Sequence, residues 1–414
     1  MHATRRLFIT CMVFVYFSFI GIQDTLLFGE ERKLPSPPYI SSLAAILMDA
    51  RTGTILYEKN GMVPHPPASL TKVMTIHILL NKIKSGELSP DMLVPIPPES
   101  WAIRQPSDSS LMFLGPNQKA TVQDILQGLA VASGNDAAVA AALLVSGSVE
   151  AFAELMNAEA DRLGLKTLQF VEPSGYDASN RITAREFAQF LKYYLEEHPE
   201  SLENLHSIRE FSYPRSENLI NGNTQHPIMQ YNRNSLLFTY PGADGIKTGF
   251  LYESGYNLAA TAKKNGMRLI VVLLGTVAET NHRAINIRNQ EAIQLLEYGF
   301  EHFSTVEVSL PPPTPIRVWK GSQTVFIPRS PGTVPITLRK GQEPFVKGSL
   351  TLEPFISAPV YPETPVGKIR LHRGDQLIYE QNLNAGIEIP RGSWVRVLWD
   401  SFLIFLRNIF GLPT

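Results

Sequence analysis

The chain reads as an α+β protein, with a sheet assembled from both ends of a helical insertion, a small all-β domain behind it and a terminal amphipathic helix. Three observations predict this. Strand patterns near residue 50 and after residue 255 bracket a stretch of helical periodicity. Composition shifts near Ser304 to short alternating runs broken by proline, and the segment from Trp394 to Phe410 is apolar around most of a helical circumference. At 414 residues the chain is long enough for two or three domains with sizeable cores.

In chain order, Arg5 and Arg6 precede a nearly uninterrupted apolar run from Leu7 to Ile22. This is the layout of a secretory signal, over residues 1–29, and export is expected from it. The small-x-small pattern of a cleavage point is poor between Gly21 and Gly29, which leaves an uncleaved anchor open. Cys11, the single cysteine, lies in this run, so a processed chain has no thiol for a disulfide, a nucleophile or a metal site. Lipid modification of Cys11 is disfavoured because Phe8 and Thr10 are not small.

A linker, Leu34-Pro35-Ser36-Pro37-Pro38, leads into the first folded domain, expected over residues 38–303. Ala44 to Asp49 and Gly53 to Tyr57 read as a hairpin that turns at Ala50-Arg51-Thr52. Pro66 and Pro67 are compatible with a helix entry, and Leu70, Val73, Met74, Ile76, Ile78, Leu79 and Leu80 follow at helical spacing. Further helices are predicted over 122–129, 136–144, 149–163 and 184–195. Tyr256 to Ala262 and Arg268 to Leu274 are strands around a turn at Asn265-Gly266, and a helix covers about Arg283 to Phe300.

Residues 304–390 read as a β-rich accessory domain, with alternating runs at Thr324 to Ile327, Pro335 to Leu338 and Lys368 to Leu371 and no catalytic constellation. Residues 392–414 close the chain. On a helix, Ser393, Arg396, Asp400, Ser401, Arg407 and Asn408 gather on one side, and apolar residues including Trp394, Trp399 and Phe402 cover the rest. Three charges in so short a segment argue against a bilayer span, whereas a narrow polar face and two tryptophans suit a helix lying in the membrane interface. The competing reading docks this helix on the protein's own core.

With 37 Lys and Arg against 38 Asp and Glu, and no basic run with interleaved aromatics, no nucleic-acid partner is expected. The nine histidines, His65, His77, His206 and His226 among them, show no ligand spacing, so neither a metal nor another cofactor is expected. His65 beside Pro66 reads as a loop residue.

Pro67-Ala68-Ser69-Leu70-Thr71-Lys72 puts a hydroxyl and an amine at i and i+3, on one helix face. A Ser-x-x-Lys is expected about once by chance in a chain of this composition, so the pair alone decides nothing. A serine nucleophile also needs a proton carrier, oxyanion donors and, if the substrate ends in a carboxylate, a cationic site. Ser133-Gly134-Asn135 stands before the helix at Asp136, and Lys247-Thr248-Gly249 before the strand at Tyr256. Chance rarely adds both. The plain alternatives are a helix cap at Ser133 or Asn135 and a loop entering an edge strand at Lys247.

The order Ser-x-x-Lys, Ser-x-Asn, Lys-Thr-Gly is that of penicillin-binding proteins and class A β-lactamases. With Val73-Met74-Thr75, Asp136-Ala137, Asn232-Arg233-Asn234 and Asp244-Gly245-Ile246 beside these motifs, the chain resembles the low-molecular-weight penicillin-binding proteins that are D-alanyl-D-alanine carboxypeptidases. The resemblance is strong over residues 40–300 and looser through the β domain and tail. It implies a penicillin-binding/β-lactamase-like catalytic fold on the extracytoplasmic or periplasmic face of the membrane, with the tail as a peripheral anchor. Peptidoglycan pentapeptide stems would be the substrate and β-lactams covalent inhibitors. Ser69 would attack the carbonyl of the penultimate D-Ala and form an acyl-enzyme, with Lys72 as base. Ser133 would carry a proton to the leaving D-Ala, and Asn135 would hold the peptide amide and steady the lysine. Lys247 and Thr248, in a triplet completed by Gly249, would bind the terminal carboxylate. The N–H groups of Ser69 and Phe250 would form the oxyanion hole, and Arg233 would support Lys247. A lysine titrates near 10.4, so Lys72 needs burial or nearby cations to act as a base, Lys247 being one candidate.

One rival is a β-lactamase, which uses a glutamate through water for deacylation. Glu217-Asn218-Leu219-Ile220-Asn221 resembles that motif but lies too close to Lys247. Glu172-Pro173-Ser174-Gly175-Tyr176-Asp177 departs from the Asn-Pro-x-Gly-Leu usual in the carboxypeptidases, and Glu172 is expected to be structural. The other rival, a non-catalytic peptidoglycan-binding envelope protein, has no need of an intact Ser69 and Lys72.

Overall fold

The strands at the two ends of the first 300 residues meet in one sheet. The computed structural model describes residues 35–220 and 224–410, and the signal expected over residues 1–29 lies outside them. β1 (Ala44–Asp49) and β2 (Ile55–Lys59) form the expected hairpin. A tight 3₁₀ turn, Ala68–Thr71, runs directly into α1 (Lys72–Lys84). β3 (Leu93–Val94) and β4 (Ala120–Thr121) pair as a short ribbon ahead of α2 (Val122–Gln127), α3 (Asn135–Ser146), α4 (Val149–Arg162) and α5 (Ala184–Glu197). The hairpin of β5 (Glu210–Tyr213) and β6 (Ile228–Tyr231) and the single turn α6 (Leu236–Thr239) lead back to β7 (Ala243–Leu251), β8 (Gly255–Lys264) and β9 (Met267–Thr276), followed by α7 (Asn281–His302).

The sheet order is β2-β1-β9-β8-β7, every pair antiparallel, so β1 and β9 join the two ends of the domain at its centre. β9 is apolar without interruption because both its faces are covered. Leu269, Val271 and Leu273 pack with Leu295 and Leu296 of α7, while Ile270, Val272 and Leu274 belong to the core shared with Met74 of α1 and Phe187 of α5. The Lys-Thr-Gly triplet differs from expectation. It lies inside β7, at the sheet edge, rather than in a loop before a strand. Ala243-Asp244-Gly245-Ile246-Lys247-Thr248-Gly249 carries two glycines and two charges, so it lacks the β-branched alternation that marks a strand.

After α7 come β10 (Phe303–Ser309), β11 (Ile316–Trp319), β12 (Val325–Phe326), β13 (Thr333–Arg339), β14 (Val346–Leu352), β15 (Phe355–Ser357), β16 (Pro365–Arg373) and β17 (Gln376–Asn384). They form small sheets over a core that includes Ile316, Val318, Val366 and Leu371. The β1–β2 turn fastens this region to the first: the buried Asp49 carboxylate accepts from the hydroxyls of Thr305 and, at 2.7 Å, Thr337, and Arg51 pairs with Glu307.

The last helix, α8 (Trp394–Phe410), turns its polar stripe to the protein. Buried Asp400 accepts from the Lys320 N–H at 2.5 Å, and the Arg407 guanidinium lies 4.8 Å from the Phe355 ring centre. Trp394, Leu398, Trp399, Phe402, Phe405 and Ile409 are exposed. Docking through the apolar side onto the protein's own core is therefore not what the helix does. Among the described residues no single helix is long and apolar enough to cross a membrane.

Candidate active site

The turn that carries Ser69 is held in an unfavourable backbone conformation. Ala68 has φ of +51°, a region that L-residues occupy only when the surroundings enforce it. Gly175 and Gly249 press on this turn from two sides. A Cβ on Gly175 would lie 1.8 Å from the Ala68 carbonyl oxygen, and one on Gly249 would lie 2.7 Å from the Pro67 oxygen and 3.1 Å from the Ser69 nitrogen. Only glycine fits at either place, and the second contact brings β7 beside the Ser69 N–H, with Phe250 next in the strand.

Lys72 opens α1 and is completely buried. Its amine reaches Ser69 Oγ at 3.1 Å, Asn135 Oδ1 at 2.7 Å and the Ser174 carbonyl at 2.6 Å. Three oxygens thus fix the nitrogen next to the hydroxyl. Burial brings its pKa down from 10.5 to about 7; the charges of Glu172 and Asp136 oppose the fall and Arg233 adds to it. Arg233 is thus one cation that depresses Lys72, and the two lysines repel each other whenever both are charged. A neutral amine is accessible at physiological pH, the state a base requires.

Ser133 ends a π-helical turn, Gly128–Ala132, with φ of +61°, and Gly134 precedes α3. The residue capping α3 is Gly134, with no side-chain cap bond, so neither Ser133 nor Asn135 serves as the cap. Gly134 is needed for another reason, because a Cβ there would come within 2.9 Å of Met112. That approach lets the Asp136 carboxylate collect the N–H groups of Met112, Phe113, Leu114 and Ala137 at 2.7 to 2.9 Å. One buried anion pins the 112–114 loop and the start of α3, and with them Asn135.

Lys247 is also buried, and its amine donates to the Thr248 carbonyl at 3.1 Å. Burial first, and then repulsion from Lys72, Arg233 and Arg288, holds its pKa well below the ordinary value. Behind it His206 bridges Tyr194 Oη, 2.7 Å, and the Ile246 carbonyl, 3.1 Å, and burial pulls its own pKa down to about 4. A side chain on Gly245 would meet the His206 Cβ at 3.0 Å. The imidazole is a neutral brace for β7.

A cleft of about 400 Å³ unites these pieces. Ser69, Ser133, Asn135, Arg233, Thr248, Gly249 and Phe250 line it, and Lys72 and Lys247 lie behind its wall. Arg233 is open to the cleft, whose walls desolvate its guanidinium and lower its pKa. Among the described residues no ion-pair partner is found for it. Sequence reasoning missed Arg288 on α7, a cleft-wall guanidinium brought down to about 10 by burial, and Tyr176, whose hydroxyl donates to Asp108 at 2.8 Å. It also missed the Ser174 carbonyl. Glu172 is not on the cleft wall; its carboxylate accepts from its own loop. His65 binds the Ser254 carbonyl at 2.8 Å. Among the described residues no group of three or more His, Cys, Asp or Glu could hold a metal ion.

Comparison with known proteins places this geometry among relatives. A family profile for D-alanyl-D-alanine carboxypeptidases matches residues 31–278, and one for the penicillin-binding protein 5 C-terminal domain matches residues 300–391. The chain is 34% identical to D-alanyl-D-alanine carboxypeptidase DacC of Escherichia coli K12 across 93% of each chain, and 33% identical to DacA of the same strain across 98% of each. Penicillin-binding protein 5 from Haemophilus influenzae superposes with a TM-score of 0.74 at 31% identity, covering 86% of this chain and 100% of that one.

Proposed function

The chain belongs to the D-alanyl-D-alanine carboxypeptidases, the serine-type, penicillin-binding hydrolases of the cell wall, and we propose that Ser69 is its nucleophile and Lys72 its general base. The observation that carries this reading is the 3.1 Å contact between the buried Lys72 amine and the Ser69 hydroxyl. Lys72 takes the hydroxyl proton as Ser69 Oγ bonds to the carbonyl carbon of the penultimate D-Ala. The Ser69 and Phe250 N–H groups receive the oxyanion. As the peptide bond breaks, Ser133 gives its proton to the departing D-Ala nitrogen and takes up the one Lys72 received, which leaves Lys72 neutral again, and water then hydrolyses the acyl-enzyme. Lys247, Thr248 and Arg233 hold the terminal carboxylate, and the substrate is the pentapeptide stem of peptidoglycan.

A fluorescent penicillin should label the wild type covalently and leave Ser69→Ala unlabelled, with D-Ala release from a pentapeptide lost in parallel. Labelling that persists in Ser69→Ala would defeat the assignment. Penicillin turnover faster than D-Ala release would favour the β-lactamase reading.

The enzyme works outside the cytoplasm. We assign residues 1–29 to the export signal, 38–303 to the catalytic domain, 304–390 to an accessory domain and 392–414 to a peripheral membrane anchor. The outward apolar side of α8 supports the last assignment. A chain ending at residue 391 should leave the membrane fraction and keep its D-Ala release.

A further inference from the structure

Glu172 opens a loop that packs, through Gly175, on the turn carrying Ser69. Its two carboxylate oxygens accept from Ser174 N–H at 2.7 Å, Ser174 Oγ at 2.5 Å, Gly175 N–H at 2.5 Å, Asp177 N–H at 3.4 Å and Asn180 Nδ2 at 2.9 Å. The loop so gathered docks on the 3₁₀ turn and the start of α1 in four places. Thr75 Oγ1 donates to the Pro173 carbonyl at 2.7 Å and the Lys72 amine to the Ser174 carbonyl at 2.6 Å. Gly175 packs on Ala68, and Asn180 Nδ2 donates to Thr71 Oγ1 at 3.2 Å.

We propose that Glu172 is a positioning residue of the reaction: by folding the 172–177 loop around its carboxylate it presents the Ser174 carbonyl to Lys72 and so aims the base at Ser69. This rests on the reading of Ser69 and Lys72 as nucleophile and base. Glu172 does not activate the deacylating water, because its oxygens are engaged by loop donors and it does not line the cleft.

The carboxylate has a second effect through its charge. The charged groups around Lys72 are Glu172 on this loop, Asp136 on α3, Arg233 after β6 and Lys247 on β7. Of the two anions, Glu172 acts more strongly on Lys72 against the effect of burial. Removing that charge favours the neutral amine, so the pH below which the base is lost must move down. In Glu172→Gln, moreover, one acceptor becomes an NH₂ group facing N–H and O–H donors, and the loop loosens.

The test is the rate of acylation by a fluorescent penicillin from pH 5 to 9, with a thermal midpoint for each variant. Glu172→Gln should acylate about tenfold more slowly at its optimum, with an acid limb about one pH unit lower. Thr75→Val, which loosens the loop and keeps the charge, should be slower with the limb unmoved. Glu172→Asp should behave like Thr75→Val, and it keeps the idea open to refutation if Glu172→Gln does not fold. A folded Glu172→Gln with an unmoved limb, or a moved limb in Glu172→Asp, overturns the proposal. So does normal acylation with acyl-enzyme accumulating on a peptide ending in D-Ala-D-Ala, which would make Glu172 a deacylating base. A wild type that neither labels nor releases D-Ala defeats the functional reading itself, whereas a labelled wild type with these contrary variants defeats only this inference.

Discussion

Two buried lysines serve the same cleft, and the surroundings of one invert those of the other. The Lys72 amine contacts three oxygens, and anions at Glu172 and Asp136 work against the pull of burial. The Lys247 amine meets one backbone carbonyl, and the groups whose charge acts on it, Arg233, Arg288 and Lys72 while it holds its proton, are all positive. Burial drives either lysine toward its neutral form. What differs is the task each surrounding prepares. Oxygens around Lys72 fix a neutral amine in place, as proton abstraction needs. Cations around Lys247 leave a site whose electrostatics improve when an anion arrives, as carboxylate binding needs.

The hardest way to break this comparison is to remove each lysine in turn. Lys72→Ala should lower the acylation rate about a thousandfold, within the range that a general base contributes. The loss should be similar for a peptide and a neutral ester of the same acyl group, because the proton transfer is common to both. Lys247→Ala should discriminate between them. Losing a charged hydrogen-bond partner of the carboxylate should lower kcat/KM for the D-Ala-D-Ala peptide about a hundredfold and leave the ester nearly untouched. Equal losses on both substrates in Lys247→Ala would mean that the two lysines share one role.

The comparison also predicts a stability profile. Folded Lys72 titrates near 7 against 10.5 for a free lysine, so between those values the unfolded chain holds a proton that the folded chain lacks. Stability therefore rises with pH across that window, and below it the destabilisation from burying the charge is felt in full. Between pH 7 and pH 9 Lys72 should contribute about 2 kcal/mol to the rise, with Lys247 acting in the same direction. Urea melts of the wild type and Lys72→Met at both pH values check this. A slope left unchanged in the variant would contradict a neutral Lys72.

How far the site was legible depends on whether chemistry resides in side chains or in backbone. Ser69, Lys72, Ser133, Asn135 and Lys247 each belong to a short motif whose residue types are the reagents, and the cleft gathers them. Gly134 and Gly249 could be read as letters of those motifs, but their reason is steric, a missing Cβ opposite Met112 and Pro67. The Ser174 carbonyl that grips Lys72 has no signature, since any residue could supply it. Arg288 is one arginine in a helix, with nothing local to mark the face that meets the cleft. In the fold, β9 was legible because sheet burial on both faces leaves an unbroken apolar run, and β7 was not, because its inner positions are given to the site.

The sharpest small test lies at Arg233, the cation that acts on both lysines. Arg233→Gln removes repulsion from each, so each lysine should hold its proton more tightly. At Lys72 this moves the acid limb of acylation upward by a few tenths of a pH unit, opposite in sign to the shift expected from Glu172→Gln. At Lys247 the gain in charge is offset by the loss of a guanidinium from the carboxylate site. KM for the D-Ala-D-Ala peptide should therefore rise about fivefold, roughly 1 kcal/mol, as for one solvent-accessible charged contact. A limb that moves downward would mean that Arg233 reaches Lys72 through structure rather than through its charge, and the separation of the two corners would have to be redrawn.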